Sequence, residues 1–201
     1  MKIKPIGDSV IEFRLTDYIK IYHNKLDHTI CDTIVNEYQD CNDWIPGCVG
    51  EHSKIIDYTK RNCDVISITQ DNIISKNPSI RKDIDTCLYN TINKSFNEYL
   101  LNFPAGCLNI SADTGYTLLR YKKDQYITQH VDASTDIPRI ISCSIGINSG
   151  YTGGEFSFFD RQLKFPLDKG DILFFPSNFL YPHEVLPVTS GVRYSILTWL
   201  F

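Results

Sequence analysis

The second half of the chain is punctuated too often to be helical. Between residues 116 and 201, eight short runs rich in β-branched and aromatic residues alternate with Gly, Pro, Asp and Asn turns. They are Tyr116–Tyr121, Ile127–Val131, Ile140–Ile147, Glu155–Phe159, Gln162–Pro166, Asp171–Phe175, His183–Val188 and Arg193–Phe201. Strands of this length at this spacing suggest a jelly-roll-like double sheet. The expected class is mostly β with supporting helices: a double-stranded β-helix (jelly-roll) core, with N-terminal helices packed outside one sheet. Gly153-Gly154 reads as a backbone-permissive turn, and Asp168-Lys169-Gly170-Asp171 as a hairpin-like one.

The first half has a different character. Leu26, Ile30, Ile34, Val35 and Tyr38 recur at helical spacing, which predicts a helix over 25–39 capped by Asn24 or Asp27. Asn77-Pro78 opens a second helix running to about Leu101, with Ile80, Ile84, Leu88, Ile92, Phe96 and Tyr99 along one stripe. Residues 10–23 read as one or two short strands, Cys63–Gln70 as another, and the polar stretch 41–64 as an extended loop. That loop, with Trp44 and Tyr58, is either a lid or a plain surface loop. The 201 residues suit a single domain, with 1–105 as a helical and strand support region and 106–201 as the β-helix core.

Charge and cysteine usage exclude several roles. A formal charge of −4 gives no general attraction to phosphate backbones, so nucleic acid is disfavoured as a partner. The charged start, Met1-Lys2-Ile3-Lys4-Pro5, lacks a signal-peptide core, and no run approaches a membrane span. A cytoplasmic protein is expected. The seven cysteines form no CxxC pair and read as free thiols in a reducing compartment.

One constellation carries chemistry. A strand sends alternate side chains to one face, so His130 and Asp132 point together across Val131. Two imidazoles and one carboxylate form the facial triad of non-haem Fe(II) oxygenases, and His183 can supply the second imidazole from a distant strand. Arg193 is a fixed cation suited to a co-substrate carboxylate. His23, His28 and His52 read as structural or exposed histidines.

The flanks of these residues resemble a known family. Leu119-Arg120-Tyr121 followed by Tyr126-Ile127-Thr128-Gln129-His130-Val131-Asp132 is similar to the first metal-binding strand of prolyl 4-hydroxylases. Arg139-Ile140-Ile141-Ser142, Gly146-Ile147-Asn148 and Gly153-Gly154-Glu155-Phe156 look like that family's middle strands. Gly170 to Ser177, Pro182-His183-Glu184-Val185 and Gly191-Val192-Arg193-Tyr194-Ser195 complete the likeness. The resemblance is to the 2-oxoglutarate- and Fe(II)-dependent dioxygenase superfamily, in its prolyl 4-hydroxylase-like branch, over about residues 116–201. It implies Fe(II) on His130, Asp132 and His183, and the distal carboxylate of 2-oxoglutarate on Arg193, assisted by Tyr121 and Ser195. It also implies O2 as oxidant, ascorbate as reductant, and succinate and CO2 as co-products. A carboxylate at Asp132 favours hydroxylation over the halogenation of relatives that leave this position open. Trp199, on the same face as Arg193, reads as core, and Tyr126 as either a packing or a pocket-lining residue.

The expected activity is hydroxylation of a C–H bond, most plausibly on a prolyl residue of a protein or peptide. The alternatives are the same cofactors acting on a free amino acid, small metabolite or nucleobase, and a non-catalytic jelly-roll binding module.

Overall fold

The computed structural model describes residues 14–50, 55–68, 78–136 and 138–201. After a single 3-10 turn (Leu15–Tyr18) come β1 (Lys20–Tyr22), α1 (His28–Tyr38), β2 (Ile45–Pro46), β3 (Arg61–Asn62), β4 (Asp64–Ser67) and α2 (Pro78–Leu100). The strands β5 (Thr117–Tyr121), β6 (Tyr126–His130), β7 (Ile141–Gly146), β8 (Thr152–Gly153) and β9 (Phe156–Phe158) follow. The chain continues through β10 (Leu163–Phe165), β11 (Ile172–Pro176), β12 (His183–Val185), β13 (Val188–Ser190) and β14 (Arg193–Leu200).

Every strand pair is antiparallel. The larger sheet has the order β1-β11-β7-β14-β5-β4-β2, the smaller one β10-β9-β12-β6-β3, and β8 pairs with β13 in a separate ribbon. From β5 to β7 and again from β10 to β14 the chain passes back and forth between the two sheets, which is the expected jelly-roll arrangement.

The central strands β7 and β11 of the larger sheet are buried on both faces, so they read as apolar runs rather than alternating ones. Along β11, Ile172 and Phe174 join the cluster beneath the helices, while Leu173 and Phe175 join the cluster between the sheets. On the helix side, Phe174 is fully buried, with ring centroids 5.8 Å from Phe96, 5.3 Å from Tyr99 and 6.0 Å from Tyr22. The Tyr99 hydroxyl donates to the Tyr18 carbonyl at 2.9 Å, so its burial leaves no orphaned donor. This is the apolar stripe of α2 seated on the sheet, as the spacing predicted.

The first helix is capped by Asp27, whose carboxylate accepts from Thr29 N at 2.7 Å. Asn24 has another role: its N–H donates to Asp171 Oδ1. Gly170, at φ +83°, accepts from Lys25 N and Leu26 N, and a Cβ there would stand 2.7 Å from the Leu26 carbonyl oxygen. The Asp168–Asp171 segment therefore turns, but it carries the chain from β10 in one sheet to β11 in the other. It is not a hairpin.

The N-terminal third departs from expectation in two places. Residues 15–18 form a 3-10 turn instead of a strand, and the earlier part of 10–23 lies outside the described residues. The 41–64 stretch contributes β2 to one sheet and β3 to the other. Two-residue strands leave no periodicity to read. Trp44 is no lid: its indole N–H donates to the Tyr38 carbonyl at 2.8 Å, and its ring lies under Arg120 and beside Tyr194. The start of α2 at Asn77 lies outside the described residues. None of the seven cysteines is joined in a disulfide, and no helix among the described residues is long and apolar enough to cross a membrane.

Candidate active site

Two neighbouring strands of the smaller sheet bring the histidines together. His183 on β12 stands directly opposite His130 on β6, and their ring centroids are 4.3 Å apart. The next pairing is Val185 with Ile127, so three steps along β6 match two along β12. That bulge absorbs one residue. It lets Ile127 and His130 line the same cavity, although strict alternation would put them on opposite faces.

Each imidazole is fixed from behind. His130 Nδ1 lies 2.9 Å from the Thr128 carbonyl oxygen, and His183 Nδ1 lies 3.1 Å from that of Tyr181. A carbonyl only accepts, so Nδ1 carries the proton in both rings and Nε2 presents a lone pair. Those Nε2 atoms face Asp132: His130 Nε2 is 3.5 Å from Oδ1, and His183 Nε2 is 3.5 Å from Oδ2. One donor atom from each of the three residues falls within 4.8 Å of the others.

The environment sets the charge states. His183 is 4% exposed, between the Phe158 ring stacked at 5.5 Å and the Phe175 ring edge-on at 4.7 Å. Burial pushes its pKa down to about 4, with His130 adding to the fall and Asp132 opposing it. Burial alone would raise the Asp132 carboxyl. The imidazoles of His183 and His130 and the Ser142 hydroxyl outweigh it and hold the group well below the usual carboxylate range. At neutral pH the set is a carboxylate facing a neutral imidazole at position 183, the forms that bind a metal.

Asp132 lies just beyond the end of β6 and is held by side chains. Its Oδ2 accepts from Ser142 Oγ at 2.7 Å, and Ser142 Oγ is 2.9 Å from Ser177 Oγ. The Asp132 carbonyl accepts from Arg139 Nη1 at 3.2 Å, and the Arg139 guanidinium lies 3.7 Å over the Trp199 ring. Trp199 is thus half-buried under a cation rather than part of the core.

A second group lies on β14 and β5. Arg193 is only 1% exposed. Its Nη1 donates to Ser195 Oγ at 2.9 Å, and the guanidinium carbon lies 5.0 Å from the Tyr121 ring centroid and 5.3 Å from that of Phe156. Its Nε and Nη2 are buried and have no hydrogen-bond partner among the described residues. A buried cation with two idle donors is costly unless a ligand completes it. One cavity between the sheets is lined by His130, Asp132 and His183 and also by Tyr121, Ser144 and Ser195. Burial pushes the Tyr121 phenol well above its usual range, so it is a neutral donor.

A Fe(II) ion fits the two-imidazole, one-carboxylate donor set. The carboxylate of 2-oxoglutarate fits the idle donors of Arg193.

Sequence reasoning gave no role to Arg61 and Cys63. Arg61 Nε donates to Cys63 Sγ at 3.5 Å and Nη1 to the Cys48 carbonyl at 3.2 Å, and its charge is felt by Tyr121 and Asp132. The pairing of β3 with β6 sets Arg61 opposite the cavity-lining Ile127, and no motif in the 41–64 stretch signals it. Tyr126 donates to the Tyr58 carbonyl at 3.3 Å, a packing role. His23 pairs with Asp171, His28 lies against the Lys169 carbonyl, and His52 lies outside the described residues.

Comparison with known proteins agrees with this architecture. The 2OG-Fe(II) oxygenase superfamily profile matches residues 116–201. A PKHD-type hydroxylase of Idiomarina loihiensis is 34% identical over 90 residues, covering 42% of this chain and 40% of the relative. The chain thus spans about two fifths of that relative's length. Among solved structures, a prolyl hydroxylase of Trichoplax adhaerens in complex with a hypoxia inducible factor peptide fragment superposes with a TM-score of 0.70. It is 18% identical, over 92% of this chain and 84% of the other. The viral collagen prolyl hydroxylase of Paramecium Bursaria Chlorella virus-1 gives 0.64 at 19% identity, over 91% and 95%. At these identities the structural likeness speaks for the fold. The superfamily profile thus matches the strands that carry the histidines, Asp132 and Arg193, and it is to that superfamily that residues 116–201 of this chain are similar.

Proposed function

We propose that the chain is an Fe(II)- and 2-oxoglutarate-dependent hydroxylase acting on a prolyl residue of a protein or peptide. The observation that carries this reading is Arg193, a buried guanidinium with two idle donors beside the cavity that also holds the His–Asp–His set. His130, Asp132 and His183 would hold the iron. Arg193, with Ser195 and Tyr121 beside it, would hold the far carboxylate of 2-oxoglutarate.

When bound, the iron with 2-oxoglutarate and O2 supplies the oxidant for a C–H bond, with succinate and CO2 as co-products. The chain's own contribution is positional. The Thr128 and Tyr181 carbonyls aim the two Nε2 atoms inward, and Phe156, Phe175 and Val185 keep the cavity wall apolar against water. Arg193 fixes the co-substrate in one direction through paired, charge-assisted hydrogen bonds.

The substrate class is supported by the prolyl hydroxylases that share the fold, one of them in complex with a peptide. The surface agrees with it. Val131, beside His130, and Phe179 and Leu180, in the loop ahead of His183, are exposed apolar side chains next to the ligand residues. Such side chains suit the residues that flank a target in a peptide.

The test is to incubate the chain with Fe(II), 2-oxoglutarate, O2, ascorbate and a panel of proline-containing peptides, following succinate and peptide mass. Peptide-stimulated succinate with one oxygen atom added to a proline is the expected result. Succinate that no peptide stimulates would overturn the prolyl assignment, and its absence from iron-loaded protein would overturn the oxygenase reading.

A further inference from the structure

The Asp132 carboxylate is backed by two hydroxyls that are themselves sealed from solvent. Ser142, on β7, is 0% exposed, and Ser177, one residue past the end of β11, is 1% exposed. These strands pair, with Pro176 opposite Ile141, which brings the two serines to one spot behind Asp132. The direction of the chain is fixed by proton count. An ionised carboxylate only accepts, and a hydroxyl has a single proton, so Ser142 commits its proton to Asp132 Oδ2 and Ser177 must donate to Ser142.

This differs from an ordinary buried serine, as the next cavity-side residue on the same strand illustrates. Ser144 donates to the Ile196 carbonyl on the adjoining strand β14 and satisfies itself locally. Ser142 instead reaches to residue 132, beyond the end of the β6 ladder, where no strand pairing holds the backbone. Ser142 makes the shortest contact to this carboxylate, 2.7 Å against 3.5 Å for each imidazole, so it is the group that fixes Oδ2.

We propose that Ser142, backed by Ser177, is a positioning residue. It ties down one oxygen of Asp132 so that the carboxylate meets the metal in a single orientation, and it thereby sets the affinity of the site for divalent cations. This rests on the reading of His130, Asp132 and His183 as the metal centre. Outer hydrogen bonds to metal-binding carboxylates orient the ligand before the ion arrives and lower the entropy lost on binding.

The experiment is calorimetric titration of metal-free chain with Mn(II), without co-substrate, together with the melting temperature of each metal-free variant. Absorption of the Co(II)-loaded forms reports ligand geometry. Ser142→Ala should weaken Mn(II) binding roughly 10–100-fold, alter the Co(II) bands, and lower the metal-free melting temperature by only a few degrees, the cost of taking one donor from the buried Asp132 carboxylate. Ser142→Thr, which keeps the hydroxyl on a β-favouring residue, should restore affinity. Ser177→Ala should weaken binding less than Ser142→Ala, and it stands in if that variant fails to fold. His183→Ala should lose the site altogether.

Wild-type affinity in Ser142→Ala alongside loss in His183→Ala would overturn the positioning role and leave the metal centre standing. So would a loss that Thr does not rescue and that a falling melting temperature accounts for. Wild-type affinity in His183→Ala would overturn the metal centre itself, and the serine pair's role with it.

Discussion

Arg193 reaches its position because residue 154 has no side chain. Gly154 holds φ +71°, and a Cβ there would meet Arg193 Cδ at 2.8 Å and Val188 Cγ2 at 3.1 Å. Gly154→Ala therefore carries two penalties, a left-handed backbone on an L residue and a displaced guanidinium. It should cost about 1–3 kcal/mol in thermal or denaturant unfolding. It should also raise the KM for 2-oxoglutarate by more than it lowers kcat. Arg193→Lys retains the charge but loses the planar fork. Forfeiting a hydrogen bond to a charged group is worth about 1.5–3 kcal/mol, so its KM for 2-oxoglutarate should rise roughly 10- to 150-fold. An unchanged KM in the lysine variant would remove Arg193 from co-substrate binding.

At the scale of elements, β11 separates stability from chemistry within two adjacent residues. Phe174 faces α2 and Tyr99, whereas Phe175 faces the cavity with its ring 4.7 Å from His183. Truncating either to Ala should cost about 3–5 kcal/mol on unfolding. Only Phe175→Ala should also weaken Mn(II) binding in the folded protein, because His183 loses a wall. Equal metal affinities in the two variants would show that the ring contact does not hold the ligand.

Eight of the ten strands from β5 onward were legible in the sequence to within a residue or two at most ends, whereas the β8–β13 ribbon was not, because Gly153 reads as a turn and 183–188 reads as one run. The most legible are buried runs closed by Gly, Pro or Asp, such as β7 and β11. Helical spacing located α1 and α2 for the same reason: a face packed on one sheet leaves a stripe. Strands β2 and β3 were illegible because two residues carry no period and their partners lie far away in sequence. The bulge in β6 was equally hidden. Alternation from His130 assigns Ile127 to the outer face, and only the register with β12 turns it inward. Ser142 was visible as part of a family-like strand, but its partners at 132 and 177 are set by tertiary geometry.

At the scale of the molecule, the site and the fold are thermodynamically linked. Ligands that bind only the folded chain stabilise it by about 2.7 kcal/mol at one hundred times their Kd. For a chain of this size that is roughly 5–10 °C in melting temperature. Mn(II) with 2-oxoglutarate should produce such a rise, and EDTA should reverse the metal's share of it. In Arg193→Ala the increment from 2-oxoglutarate should vanish while that from Mn(II) persists. Persistence of both increments would place the co-substrate elsewhere in the cavity.

The pairing of His183 with His130 also bears on when competence arises. The two residues are separated by more than fifty positions, including β7 and β11 of the other sheet, β8 of the ribbon and the β9–β10 edge hairpin. Closing so long a loop is slow compared with forming a helix or a local hairpin. The helices and the first strands can be in place while the donor atoms are still apart. On the proposed metal-site reading, affinity for iron would arrive late in folding, and a chain holding its metal would already have brought β6 and β12 into register.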